Sequence, residues 1–145
     1  MRIVFLTLLP LLFCLGCTWC LPVRIHEINA FESLIRNSAR TFSQQDWNAF
    51  ANNFTTDPEM LQLIKTCQTL SGKAPVTLEI KTIHLLSYEN NSAHLRATAA
   101  LRYPFGSSLC RIDTTFLFTL SKKKGLWKIS NIQMQDFSKL RKMIP

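Results

Sequence analysis

The sequence predicts an α+β domain in which N-terminal helices pack on a curved antiparallel sheet. Two observations carry that prediction. Up to about residue 71 the apolar residues recur at helical spacing, and from Val76 onward they alternate every second residue. A chain whose helices precede its strands separates them into layers rather than alternating them around a parallel sheet. The strands are also long and joined by short turns, the pattern of an antiparallel meander.

Ile28, Phe31, Leu34, Ile35 and Ala39 share one face of a helix expected over 24–41, with Arg24, Glu32, Arg36 and Arg40 left for water. Ser43 reads as the N-cap of a short second helix, 44–53, which places Trp47, Phe50 and Ala51 on one side. Asp57 before Pro58 starts a third helix over 58–69, because Pro suits a first helical position. Met60 or Leu61, Ile64 and Cys67 then point inward, and Ser71-Gly72 ends the run.

Val76, Leu78 and Ile80 open the first strand, whose pattern slips near Thr82-Ile83 and signals a bulge. Tyr88 to Asn91 form a turn. The second strand, 93–103, carries Leu95, Ala97, Ala99, Leu101 and Tyr103 on one face. Residues 104–108 read as a loop, and the third strand, 109–121, turns Cys110, Ile112, Thr114, Phe116, Phe118 and Leu120 to one side. After the Lys122-Lys123-Lys124-Gly125 hairpin tip the last strand, 126–136, slips at Ser130-Asn131 and resumes with Ile132 and Met134. Bulged strands curve, because a bulge raises the local twist. Alanines on the concave side leave room under the helices, so a ligand-sized cavity is expected there, lined by Leu95, Ala97, Ala99, Tyr103, Phe116, Phe118 and Met134.

The first twenty residues read as a secretory signal peptide: Arg2, an apolar run from Ile3 to Gly16, and Cys17-Thr18-Trp19-Cys20 before Leu21-Pro22. The run is shorter than the roughly 20 apolar residues that a membrane-spanning helix needs. The expected product is a secreted, extracellular domain over 21–145. The alternatives are an uncleaved leader acting as an anchor and a lipid on Cys17, since Cys14-Leu15-Gly16-Cys17 resembles a bacterial lipobox with Cys where an aliphatic residue is usual. Of five cysteines, Cys67 and Cys110 remain after cleavage, and in an oxidising compartment a leftover pair reads as one disulfide. Asn53-Phe54-Thr55 and Asn90-Asn91-Ser92 are glycosylation sequons, with Asn90 in a turn the better placed. No Cys/His spacing fits a metal, and no cofactor is expected.

Lys and Arg outnumber Asp and Glu by 17 to 9, for a net charge of +8. That excess favours acidic partners: a glycosaminoglycan, an anionic lipid or an acidic protein. A secreted address makes nucleic acid the least expected.

Three helices followed by a bent meander ending in Gly125-Leu126-Trp127-Lys128-Ile129 resemble the nuclear transport factor 2-like superfamily, over about 27–137. Trp127 and Ile129 carry the resemblance in the last strand. The chain departs from it in showing no strand pair between the first and third helices. The resemblance implies a cone of sheet over helices, hosting enzymes, binders and scaffolds alike. It also implies pairing through the open sheet face, here Arg96, Thr98, Arg102, Arg111, Asp113, Thr115 and Leu117, as a route to a homodimer. An enzyme of this type would resemble a polyketide cyclase or a dehydratase, with His84, Asp113, Asp46 and Tyr103 as the acid–base candidates. Local spacing puts no two of them together, and His84 joins the inner face only if no bulge intervenes. The sequence therefore favours a non-enzymatic binding or interaction module, with a small apolar molecule in the cone as one ligand, and a small-molecule cyclase or dehydratase as the alternative.

Overall fold

The computed structural model describes residues 20–135, with side chains from residue 25. Residues 1–19, which hold all of the expected leader but Cys20 and include Cys17, and the residues after Gln135 lie outside the described residues. Among the described residues, three helices, α1 (Cys20–Ser43), α2 (Trp47–Ala51) and α3 (Pro58–Lys73), precede four strands, β1 (Thr77–Glu89), β2 (Ser92–Phe105), β3 (Ser108–Lys123) and β4 (Leu126–Gln135). The strands form one antiparallel sheet in the order β1-β2-β3-β4. The α+β architecture is the expected one.

The helix ends are where the sequence reading needs correction. Ser43 is not an N-cap. It closes α1, and its hydroxyl donates to Ala39 O at 2.8 Å and accepts from Leu78 N at 2.8 Å. The helix stops because Gln45 takes a left-handed φ of 57°. Gln45 N then donates to Phe42 O at 3.0 Å and Asp46 N to Thr41 O at 3.0 Å, the paired bonds of a Schellman motif. Asp46 is the N-cap of α2, its Oδ1 accepting from Ala49 N at 3.0 Å. A serine one turn early mimics the cap signal; the helix-ending turn decides which residue is used. In α3, Met60 faces the core and Leu61 faces water, while Ser71 is buried inside the helix rather than ending it.

Both expected register slips occur. Lys81 is the extra residue between the Ile80 and Thr82 pairs, a second slip falls between Leu85 and Ser87, and Ser130 is extra opposite Thr119-Leu120. The 104–108 segment is no loop: β2 runs to Phe105, which pairs with Ser108, leaving only Gly106-Ser107 to turn the chain, with Gly106 at φ 60°. The β3–β4 turn uses Lys124 and Gly125 at φ 52° and 79°, the double positive φ of a tight hairpin.

α1 lies against the two edge strands, across the hollow of the sheet. Phe31 and Ile35 are fully buried, in one apolar cluster with Leu95, Ala97, Phe118 and Ile129. Both sheet edges are partly covered. Arg36 Nη1 donates to Ile80 O at 3.1 Å on the β1 edge. On the β4 edge, Thr55 N donates to Ile129 O and Ile129 N to Asn53 O, each at 2.9 Å. Covered edges suppress strand-to-strand aggregation.

Candidate functional site

The expected cavity lining is core. Leu95, Ala97, Ala99, Phe116 and Phe118 are 0–8% exposed, and Tyr103 and Met134 are half-buried against the same cluster. They share one apolar cluster with Phe31 and Ile35 of α1, so the concave face of the sheet meets the helical layer there.

The acid–base candidates are scattered. His84 is exposed, because the Lys81 bulge moves it out of phase with Ile80 and sets it opposite Arg96. Asp113 is exposed opposite Ala100, where Lys81 Nζ reaches it at 2.6 Å and Arg111 Nη2 at 3.3 Å. The Lys81 hydrogen bond, then those from Arg111, hold its carboxyl below the usual range. Arg96 and Ala100 are four residues apart on β2, so His84 and Asp113 are about 13 Å apart along the strands alone. Asp46 is committed to the α2 cap. Tyr103 lies on the concave side, its hydroxyl pushed up by partial burial and then by the Cys110 thiol beside it.

A cleft of about 520 Å³ opens between the His26–Asn37 stretch of α1, Asn53 and the β3–β4 hairpin, within the size range of small-molecule sites. Its floor is built by Glu27, whose carboxylate accepts from Lys122 Nζ at 2.8 Å and from the Trp127 indole N–H. Lys122 also stands 5.3 Å over the Trp127 ring. The Lys122 bond outweighs burial and draws Glu27 below the ordinary carboxylate range, and the same bond raises Lys122. Leu34 and Trp127 supply half-buried apolar wall and Leu126 an exposed lip. At the far side Asn37 Nδ2 donates to Asn53 Oδ1 at 2.9 Å. The lysine run forms the expected hairpin tip with Lys123 and Lys124 exposed, yet Lys122 is tied to Glu27, Lys123 to Asp57 at 3.5 Å, and Lys128 to Asn52 O. Those tied partners are 66 or more residues away, so no local signal could have shown them. A second hollow, of about 170 Å³ between Arg36, Arg40, Leu78 and Ile80, is below ligand size.

Two modification expectations change. Cys67 and Cys110 are free thiols, not a disulfide. Parity gives a pair but not proximity: Cys67 packs against the core from α3, while Cys110 sits opposite Tyr103 near the end of the β2–β3 hairpin. Asn53 is 6% exposed, with its amide donating to Ala49 O at 2.9 Å and Phe50 O at 3.2 Å. A glycan on that nitrogen is incompatible with those bonds. Asn90 is exposed in the β1–β2 turn. Among the described residues no cluster of His, Cys, Asp and Glu suits a metal ion, and no helix is long and apolar enough to cross a membrane.

No family model matches the sequence, and no curated protein matches it. Solved structures do. A protein of unknown function from Mycobacterium tuberculosis superposes with a TM-score of 0.70 at 14% identity, over 79% of this chain and 74% of its own. A dehydratase-like protein of the nuclear transport factor 2-like family from Streptomyces avermitilis gives 0.65 at 8% identity, over 75% and 95%. This chain has the nuclear transport factor 2-like fold. A scytalone dehydratase-like protein from Novosphingobium aromaticivorans shares that fold with a TM-score of 0.67 at 14% identity, over 77% and 85%. The fold alone is shared at such identities, and one fold hosts many chemistries.

Proposed function

We propose that this nuclear transport factor 2-like domain is a non-enzymatic binding module whose ligand sits in the α1–hairpin cleft. The observation that carries the reading is the contrast between two places. The acid–base candidates are spread over the convex face, a helix cap and the concave side, whereas Glu27, Lys122 and Trp127 converge on one cleft beside apolar wall. The concave interior, where a small apolar ligand was expected, is lined by buried apolar residues with no such polar group converging on them. The cleft instead suits a small molecule with one apolar face and a polar group able to bond Asn37 or the Glu27–Lys122 pair. Amide-resolved NMR of the purified chain against a small-molecule library tests this. Shifts confined to Trp127 Nε1–H, Leu126 and Asn37 are expected. Shifts centred on Leu95, Ala97 and Phe116 would restore the interior as the site, and the cleft reading would fail.

The dehydratase-like names among the similar structures favour a second reading, a cyclase or dehydratase using Tyr103, His84, Asp46 or Asp113. It requires turnover of a hydroxylated small molecule that His84→Ala or Tyr103→Phe abolishes. The proposal also includes export by the 1–20 leader and a glycan on Asn90; N-terminal sequencing and glycopeptide mapping of the secreted product test both. Pairing through the convex face remains part of it, read out by the mass of the purified protein in solution.

A further inference from the structure

We propose that the tip of the β2–β3 hairpin docks on an anionic lipid bilayer. No charged residue occurs between Arg102 and Arg111, and this uncharged stretch folds into the narrow end of the hairpin, turned by Gly106-Ser107 alone. Phe105 is 58% exposed and Leu109 70%. Strand alternation directs Leu109 and Pro104 to the convex side and Phe105 to the other. Large apolar side chains thus project from both sides of the ribbon end, with Ser107 and Ser108 as its uncharged polar groups, an arrangement that suits a lipid headgroup boundary better than one half of a flat protein interface.

The charges are set at the matching depth. Arg102 and Arg111 pair across the strands three residues back from Phe105, about 10 Å along the ribbon. Interfacial segments bury their apolar part by roughly 5–10 Å, which places both guanidinium groups at the headgroups. Tyr103 lies between tip and arginines, the level that interfacial tyrosines favour. Locally Lys81, Arg102 and Arg111 face the carboxylates of Glu79 and Asp113, leaving an excess of positive charge. The surface is separate from the α1–hairpin cleft, so the two proposals stand or fall apart.

The test uses the full chain and vesicles of phosphatidylcholine, with and without phosphatidylserine. A Phe105→Trp reporter, read as the difference from wild type, should shift to the blue only with the anionic vesicles. The shift should shrink in high salt, because headgroup attraction is screened. The double variant Phe105→Ser, Leu109→Ser should weaken vesicle binding by more than about tenfold, the loss expected when two large apolar side chains leave lipid. Leu61→Ser, an exposed leucine on α3, should leave binding unchanged. A reporter that does not move, or a double variant that binds like wild type, overturns the proposal. So does a lipid-free dimer that the double variant dissociates, which would make a second copy the occupant.

Discussion

Phe31 of α1 and Trp127 of β4 meet edge to face, with ring centroids 4.7 Å apart and planes at 86°. Tyr88 closes the group, 5.8 Å from Phe31 and 6.2 Å from Trp127. The contact joins the helical half of the chain to the last strand. Phe31 is fully buried, so Phe31→Ala should cost about 3–5 kcal/mol in chemical denaturation. Phe31→Leu should cost much less, because most of the volume is kept.

The Glu27–Lys122 pair gives stability a pH signature. Glu27 is lowered in the fold, so its contribution is present above the unfolded carboxylate value and is lost as pH falls through the folded one. Lys122 is raised, so its contribution is present below the unfolded ammonium value and is lost as pH rises through the folded one. The pair should therefore stabilise the fold across the neutral range and weaken at both extremes. In thermal melts across pH, Glu27→Gln should lower the midpoint near neutrality and show a shallower fall on the acid side than wild type.

Asn53 holds α2 to both α1 and β4 through its side chain and its backbone carbonyl. Asn53→Ala leaves the Ala49 carbonyl and the Asn37 amide without their partner, which should cost about 1–3 kcal/mol. Glycopeptide mapping of the protein expressed through a secretory pathway should find Asn53 unmodified.

Ala97 is fully buried on the concave face. Ala97→Leu should destabilise by about 1–3 kcal/mol, the usual cost of overpacking. A neutral or stabilising result would reveal spare volume on the concave face.

Cys67 and Cys110 should both alkylate in unfolded protein without reductant. In the native state Cys67 should react more slowly, because burial pushes its thiol up and leaves less thiolate. Peptide mapping after timed exposure to iodoacetamide measures both rates.

The local chemistry of the chain was enough for much of the fold. Apolar spacing showed which face of α1 is buried, Asp57-Pro58 marked the start of α3, and the two slips in alternation marked bulges that the register contains. Those signals are readable because each depends on neighbours within a turn or a pair of strand residues. The cap of α2 was misplaced by three residues because Ser43 and Asp46 carry the same local signal. A backbone turn at Gln45, and a strand edge waiting for the Ser43 hydroxyl at Leu78, separate them.

The candidate cleft was not legible at all. Glu27 and Trp127 are 100 residues apart, and nothing in either neighbourhood names the other. By itself the sequence determined the order and type of the elements, their buried faces and the basic charge of the chain. Tertiary structure decided which side chains meet across the concave face, that the two cysteines are free thiols, and that Lys122 folds back on a helix. The physical reason is range: periodicity and capping act over a few residues, while packing and ion pairing depend on distances that only the closed chain sets.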